Sequence, residues 1–114
     1  MNDATDPGLR EGITVAEFAA WRRAARPLQV LDVREEWEHA VFAFDDTLAV
    51  PLAELPARFG SLPRGRPLVV VCHHGIRSAQ ATAWLRHKGV HEAVNLQGGI
   101  DAWAREIDPH MATY

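Results

Sequence analysis

The sequence predicts an α/β fold in which helices cover both faces of a parallel sheet. Short aliphatic segments alternate with helical segments along the chain, which is the pattern of strand–helix–strand units. The clearest strand, Leu68 to Cys72, begins with four aliphatic residues in succession, as a strand covered on both faces requires. A helix follows it after a short loop. The only cysteine of the chain therefore lies at the carboxyl end of a buried strand.

In the first half of the chain, caps and breakers define the elements. Residues 1–11 contain a proline and a glycine that interrupt regular structure, so we expect a flexible lead-in. Thr14 and Glu17 have the spacing of a capping box, and the helix that they open ends before Pro27. A buried strand over 28–33 follows. We then expect a helical turn over 35–39, an irregular stretch over 40–47 and a short strand over 48–50.

In the second half, two glycines mark helix ends. A short helix over 53–59 stops at Gly60, and an amphipathic helix over 78–88 ends at a Gly89 cap. The remaining elements are a strand over 93–96, a turn at 98–99 and a helix over 100–106. We therefore expect one domain over residues 12–108 and a tail over 109–114.

Length and composition exclude several classes of protein. The 114 residues suffice for one core, and 47% hydrophobic with 24% charged residues is typical of a globular domain. A formal charge of −3 offers no electrostatic basis for binding nucleic acid. No apolar run approaches the roughly 20 residues that cross a bilayer, and the N-terminus resembles no signal peptide. One cysteine forms no intramolecular disulfide, so we expect a cytoplasmic protein with a free thiol.

Cys72 is the first candidate for a catalytic residue. Ligands of parallel sheets bind beyond the carboxyl ends of the strands, and Cys72 lies at such an end. The loop that follows is short enough for its amides to converge on one point, and Gly75 permits the backbone turn that this needs. Such a cradle could hold a thiolate, a persulfide or an oxyanion. The alternative is a small buried hydrophobe at a strand end.

The loop also contains an arginine and two histidines. A cation at a helix start is unfavourable for the helix dipole, so Arg77 indicates an anionic ligand or a carboxylate partner, unless it is a solvated surface residue. We interpret His73 and His74 as polar residues at the rim of the pocket, with plain surface exposure as the alternative for one of them. Zinc sites usually use spaced ligand pairs, so we predict no metal site here.

Asp32 and Arg34 end the strand that precedes this loop in the chain. We expect Asp32 to cap loop amides and Arg34 to pair with Glu35 or Glu38, which is a structural role rather than a catalytic one. The tryptophans lie at helical spacings beside apolar residues, so we interpret them as core. They are Trp21, Trp37, Trp84 and Trp103.

Three segments resemble the rhodanese-like domain family. Leu31-Asp32-Val33-Arg34-Glu35 resembles its "DVRE" box, and Cys72 to Ser78 resembles its active-site loop. Asn95-Leu96-Gln97-Gly98-Gly99-Ile100, with Trp103, resembles its C-terminal signature. The segments occur in the family's order and span about 13–108. One departure is Val41 to Thr47, which lacks the glycine, histidine and proline usual between the first segment and the next strand.

The resemblance implies a central parallel five-stranded sheet and a sulfurtransferase that uses thiosulfate or a similar donor. Cys72 would be the nucleophile and persulfide carrier, with Asp32 and Arg34 behind the site. No metal or organic cofactor is implied. The partners would be small sulfur-containing anions, thiol acceptors and a sulfur-carrier protein. The loop residues would bind the substrate; these are His73, His74, Gly75, Ile76, Arg77 and Ser78.

Two other functions fit parts of the pattern. Phosphatases and arsenate reductases of related folds place five residues between cysteine and arginine, whereas four separate Cys72 from Arg77. This shorter loop favours a sulfur-sized pocket and predicts negligible turnover of aryl phosphates. A non-catalytic binding or regulatory module of the same family is the other alternative. Such modules commonly lack the cysteine, and its presence favours an enzyme.

Overall fold

The protein, described by a computed structural model over residues 10–114, is an α/β domain. Its five strands are β1 Gly12–Ile13, β2 Gln29–Asp32, β3 Thr47–Ala49, β4 Leu68–Val71 and β5 Ala93–Leu96. Its helices are α1 Val15–Arg23, α2 Glu36–Val41, α3 Leu55–Arg58, α4 Ile76–His87 and α5 Gly99–Glu106. Turns of 3-10 helix, Leu52–Glu54 and Phe59–Ser61, flank α3.

The strands form one parallel sheet in the order β1-β5-β4-β2-β3. Leu31 on β2 is in register with Val70 on β4, and Val70 with Asn95 on β5. The carboxyl ends of the three central strands therefore meet at one edge. Cys72 follows β4 at this edge, as the aliphatic run predicts.

Alternate side chains of β4 enter two separate cores. Val69 and Val71 pack with residues of α1 and α5, including Phe18 and Ile100. Leu68, Val70 and Cys72 pack on the opposite face, with residues of α3 and α4 such as Leu55 and Leu85. Helices therefore cover both faces of a five-stranded parallel sheet, and the predicted fold class is confirmed.

Capping residues and glycines in the sequence indicated where several of the helices begin and end. Thr14 and Glu17 form the predicted capping box, with the Glu17 amide 3.1 Å from Thr14 Oγ1. Gly89, with φ of 94°, follows the C-cap of α4. Helix α4 begins at Ile76, two residues before the predicted start, because a left-handed Gly75 precedes it. The lead-in prediction for 1–11 falls mostly outside the described residues, and the sequence reasoning missed strand β1.

The atypical stretch Val41 to Thr47 contributes aromatic anchors to the core. The Phe44 ring lies 5.3 Å from Phe18 and 5.0 Å from Trp103, edge to face in both pairs. Phe42 lies 5.2 Å from Phe44 and extends the cluster. Aromatic packing therefore holds this connection against the core.

One prediction about the tryptophans is wrong. Trp21 is in a core, and Trp84 and Trp103 pack against the two cores, but Trp37 is 61% exposed. The six-residue helix α2 lies at the carboxyl edge of the sheet and buries Glu38 instead. Helical spacing beside apolar residues did not reveal which side of so short a helix faces inward.

None of the helices within residues 10–114 combines the length and the apolar character that crossing a bilayer requires.

Candidate functional site

The Cys72 thiol lies at the floor of the loop between β4 and α4, where it is 1% exposed. Its Sγ atom lies 3.1 Å from the Gly75 amide nitrogen and 3.3 Å from the Ser78 amide nitrogen, and both amides donate to it. The Ser78 hydroxyl oxygen is 3.2 Å away. The predicted convergence of loop amides is therefore present around the sulfur, with a hydroxyl in addition.

Asn95 on β5 completes this hydrogen-bonding group. The Ser78 hydroxyl donates to Asn95 Oδ1 at 2.5 Å, and Asn95 Nδ2 donates to the Gly75 carbonyl at 3.3 Å. A serine hydroxyl has one proton. While Ser78 donates that proton to Asn95, the thiol of Cys72 must be the donor in the hydrogen bond between Cys72 and Ser78. When the sulfur is an anion, the Ser78 proton can turn towards it. Asn95 lies within the third family-like segment, but its role was not predicted.

Gly75 is required by two features of the loop. Its φ is 91°, which side-chain-bearing residues rarely adopt, and a Cβ here would lie 2.9 Å from the Gly98 backbone nitrogen. The loop consequently packs directly on the backbone that leads into α5. This contact fixes the curvature that aims the Gly75 amide at the sulfur.

Helix α5 is attached to the same loop by its first turn. The Ile100 amide donates to the Cys72 carbonyl and the Asp101 amide donates to the His73 carbonyl, both at 2.9 Å. A Cβ on Gly99 would lie 2.5 Å from each of these two carbonyl oxygens. The glycine pair of the third family-like segment therefore permits a close backbone contact behind the thiol.

Arg77 forms a two-point ion pair with Glu38 of α2. Its Nη1 and Nη2 atoms lie 2.7 and 2.8 Å from the two carboxylate oxygens. The guanidinium, with some opposing effect of burial, lowers the pKa of Glu38 to about 2. The pKa of Arg77 is raised by the same hydrogen bonds. The structure therefore shows a carboxylate partner for Arg77, which was one of the interpretations of this residue, and the partner is Glu38.

Arg34 pairs with Asp32, not with the side chain of Glu35 or Glu38 as predicted. Arg34 Nε and Nη2 lie 3.0 and 2.7 Å from Asp32 Oδ2, and neither side chain is exposed. Asp32 also accepts the Arg34 amide at 3.0 Å, which confirms its capping of a loop amide. A buried guanidinium needs a charged partner close by, and the Asp32 carboxylate lies two residues before Arg34, at the end of β2. Arg34 therefore pairs with Asp32 rather than with the carboxylates of Glu35 and Glu38.

Tyr114, in the predicted tail, joins these two ion pairs. Its hydroxyl donates to Glu38 Oε2 and accepts from Arg34 Nη1 at 3.1 Å. Its ring centroid lies 4.1 Å from that of His73 and 5.1 Å from that of Trp37. Burial, together with the Glu38 carboxylate, raises the pKa of Tyr114, which keeps the phenol a donor. No local pattern in the sequence indicated this role.

The two loop histidines differ in exposure. His74 is exposed and His73 is half-buried between the His74 and Tyr114 rings. Burial lowers the pKa of His73, and the neighbouring His74 lowers it further. His73 therefore lies at the rim in surroundings that disfavour its charged form, and His74 is a surface residue.

Among residues 10–114, one group has the composition of a metal site. The ligand atoms of His73, His74 and Asp101 lie within 4.8 Å of one another. The two imidazole rings are stacked, with centroids 4.1 Å apart and an interplanar angle of 14°, so their lone pairs lie in separate, nearly parallel planes and are poorly placed to meet at one ion. Asp101 also accepts from Arg105 at 3.0 Å. This geometry favours hydrogen bonding over metal ligation.

The predicted site residues are therefore brought together, with additions. Residues 72–78 form the loop, and the Asp32–Arg34 pair reaches it through Tyr114. Ile76, at the first position of α4, is 69% exposed at the rim. Sequence reasoning missed the contributions of Glu38, Asn95, Asp101 and Tyr114.

Comparison with known proteins gives a consistent result. The family model described as "Rhodanese-like domain" matches residues 14–106. A "Sulfurtransferase" of Allochromatium vinosum is 39% identical over 83 residues, which are 73% of this chain and 78% of that protein. A crystal structure of a rhodanese-related protein from Thermoplasma volcanium superimposes with a TM-score of 0.77 at 32% identity, covering 85% of this chain and 93% of that one.

Longer proteins contain a similar segment. The "Probable adenylyltransferase/sulfurtransferase MoeZ" of Mycobacterium tuberculosis is 35% identical over 115 aligned positions, which cover 99% of this chain. The chain spans 29% of the length of that protein. The similarity therefore concerns one part of MoeZ.

Proposed function

The chain belongs to the rhodanese-like domain family, and from that premise we propose that it is a sulfurtransferase that carries sulfane sulfur as a persulfide on Cys72. The observation that carries the proposal is the surroundings of Sγ. Two backbone amides and one hydroxyl lie within 3.3 Å of the only thiol of the chain. These donors suit a sulfur that becomes negatively charged during the reaction.

The proposed reaction has two displacements. The Cys72 thiolate attacks the outer sulfur of thiosulfate or a similar donor; the new S–S bond forms as the donor's S–S bond breaks, and sulfite leaves with the electron pair. An acceptor nucleophile then attacks the outer sulfur of the persulfide, and Cys72 leaves as the thiolate. Sulfur is transferred at one oxidation level, so no external oxidant, metal or organic cofactor enters the balance.

The chain's own groups have separate tasks in this scheme. The amides of Gly75 and Ser78 hold the inner sulfur. Other amides of the loop over 73–78 would cradle the outer sulfur. Asn95 orients the Ser78 hydroxyl. Arg77 is the cation of the loop. Glu38 engages both of its terminal nitrogens, so a donor anion must bind the outer side of the guanidinium or displace the carboxylate.

The names of the relatives support sulfur transfer as the class of reaction, but they do not specify the sulfur donor or the acceptor. The Allochromatium protein is called a sulfurtransferase, and MoeZ carries the same word in its name. We propose thiol acceptors or a sulfur-carrier protein as partners on this basis, with the cytoplasm as the expected location. The alternative is a module that binds through the same loop without turnover.

A thiocyanate assay tests the proposal. We expect the protein to form thiocyanate from thiosulfate and cyanide, and Cys72→Ser to remove this activity. Aryl phosphates serve as the control substrate and should give no phosphate release. Thiocyanate formation that survives in Cys72→Ser would assign the reaction to another group. Absence of turnover in the wild type, together with absence of any sulfur adduct on Cys72, would favour the binding module.

A further inference from the structure

The arginine at the mouth of the site, where thiosulfate would bind, is already paired with a carboxylate. The donor is a dianion, and the arginine of the loop already holds the carboxylate of Glu38 at two points. The Glu38 side chain is 4% exposed, whereas that of Arg77 is about one third exposed. Glu38 therefore lies behind the guanidinium, which presents only its outer side to an incoming anion.

Further contacts fix Glu38 in this position. Its Oε1 atom accepts the Glu35 amide at 2.9 Å in a capping box, and its Oε2 atom accepts the Tyr114 hydroxyl. The same hydroxyl accepts from Arg34, whose charge is balanced by Asp32. Both arginines that reach the site are thus paired. A small dianion must compete with a carboxylate that three groups hold in place.

Large apolar side chains are exposed at the rim of the site. The large hydrophobic side chains that are exposed within residues 10–114 are Trp37, Ile76 and Tyr114. Ile76 belongs to the thiol loop, Tyr114 packs on His73 of that loop, and Trp37 packs on Tyr114. Such a rim suits an organic group better than a small anion.

We propose that Glu38, held by Tyr114, is a specificity-determining residue that keeps small dianions away from Arg77. The inference rests on the proposed function and concerns its substrate class. The site favours sulfane sulfur carried by an uncharged organic group over thiosulfate. With such a donor, the Cys72 thiolate takes the outer sulfur of R–S–SH, its proton stays on that sulfur, and the electron pair leaves on R–S⁻.

The experiment compares thiosulfate and 2-hydroxyethyl persulfide as donors in wild type and Glu38→Gln. Glutamine still accepts the Glu35 amide, so the helix cap is retained while the charge is lost. We expect the kcat/KM ratio of thiosulfate to persulfide to rise about fivefold or more, through a lower KM for thiosulfate, because Arg77 is freed. Glu36→Gln removes the same charge from the same helix without touching Arg77, and it should leave the ratio at the wild-type value.

A second readout needs no sulfur transfer. At constant ionic strength, sulfate should protect Cys72 from alkylation by iodoacetamide at lower concentration in Glu38→Gln than in wild type. Adding Arg77→Lys to Glu38→Gln should again raise the sulfate concentration needed for protection, because lysine lacks the planar guanidinium that binds two oxygens at once. Failure of the proposed function would appear separately, as absence of a persulfide on Cys72 with either donor.

The proposal is overturned if Glu38→Gln leaves both the donor ratio and the sulfate protection unchanged, or if the KM for thiosulfate rises. If Glu38→Gln does not fold, Tyr114→Phe decides, since it removes the hydroxyl that holds Glu38 and keeps the ring. The KM of Tyr114→Phe for thiosulfate should also fall, by a smaller factor than that expected for Glu38→Gln. An unchanged or higher KM would contradict the proposed role of Glu38.

Discussion

The hydroxyl oxygen of Ser78 lies 3.2 Å from the Sγ atom of Cys72. The same residue donates its hydroxyl proton to Asn95 at 2.5 Å and its amide proton to the sulfur at 3.3 Å. Ser78 therefore links the thiol to β5 through its side chain while its backbone takes part in the cradle. The side-chain and backbone contributions can be separated by mutation.

Replacing Ser78 by alanine tests the side-chain contribution. The amide remains and the hydroxyl is lost. We therefore expect sulfur loading of Cys72 to slow by about tenfold or more, since a hydrogen bond to a charged group is worth about 1.5–3 kcal/mol. Stopped-flow measurement of loading gives the rate. Ser61→Ala is the control, because Ser61 bonds only locally to the Arg58 carbonyl in an exposed turn. A wild-type rate in Ser78→Ala would show that the amides suffice.

Two glycine variants separate backbone strain from loop packing. Gly75 and Gly65 have φ values of 91° and 86°, but only at Gly75 does an added Cβ meet another atom, the Gly98 nitrogen at 2.9 Å. Gly65→Ala should cost about 1–2 kcal/mol of unfolding free energy and keep the activity. Gly75→Ala should cost more and lose sulfur loading, because the loop must move from α5. Urea unfolding and loading rates measure both, and equal effects would remove the packing argument.

The Glu38 pair predicts a dependence of stability on pH. Its pKa is about 2 in the folded protein and about 4.5 as an ordinary glutamate, chiefly because of Arg77. A lowered folded pKa means that the stabilisation is fully present above 4.5 and is lost as pH falls towards 2. Urea unfolding between pH 2 and 7 should therefore show a flatter acid limb for Glu38→Gln than for wild type.

The same acid limb offers an internal control. Glu17 and Glu92 also have pKa values of about 2, because of Arg10 and Arg64, and they contribute equally in both proteins. The difference between wild type and Glu38→Gln isolates the one pair. Arg77→Gln should flatten the limb in the same way, and a limb as steep as that of wild type in both variants would contradict this assignment.

His73 should titrate below the ordinary histidine value of 6.5. Burial and then the nearby His74 lower its pKa, so the unfolded chain takes up the proton first as pH falls, and this residue disfavours the folded state below about pH 6.5. NMR titration of the imidazole signals gives the midpoint. His74→Gln should raise the His73 midpoint part of the way, and a wild-type midpoint at or above 6.5 would be inconsistent with burial as the cause.

Much of the fold and the thiol loop could be predicted because the signals are local. The aliphatic run 68–71 identifies the central strand, and Thr14 with Glu17 marks a helix start by spacing alone. The loop from Cys72 to Ser78 could be recognised because its cysteine, glycine and arginine are close in sequence. Strand β1 was missed because two residues at a sheet edge carry no periodic pattern.

The partners of the charged residues could not be predicted, for a different reason. Arg77 and Glu38 are 39 residues apart, and Tyr114 and Glu38 are 76 apart. These contacts depend on how the strands assemble at one edge, which no local pattern encodes. The sequence therefore indicated an anionic ligand or a carboxylate partner for Arg77, but not which of the two is present or that Glu38 is the partner.

The central claim is that Cys72 carries transferable sulfur. Intact-mass measurement after incubation with thiosulfate, and separately with 2-hydroxyethyl persulfide, tests it most directly. We expect an added mass of one sulfur atom on the wild-type chain. It should be absent in Cys72→Ser, and cyanide should remove it with formation of an equal amount of thiocyanate. A chain that gains no sulfur from either donor, or gains it equally in Cys72→Ser, would contradict the account.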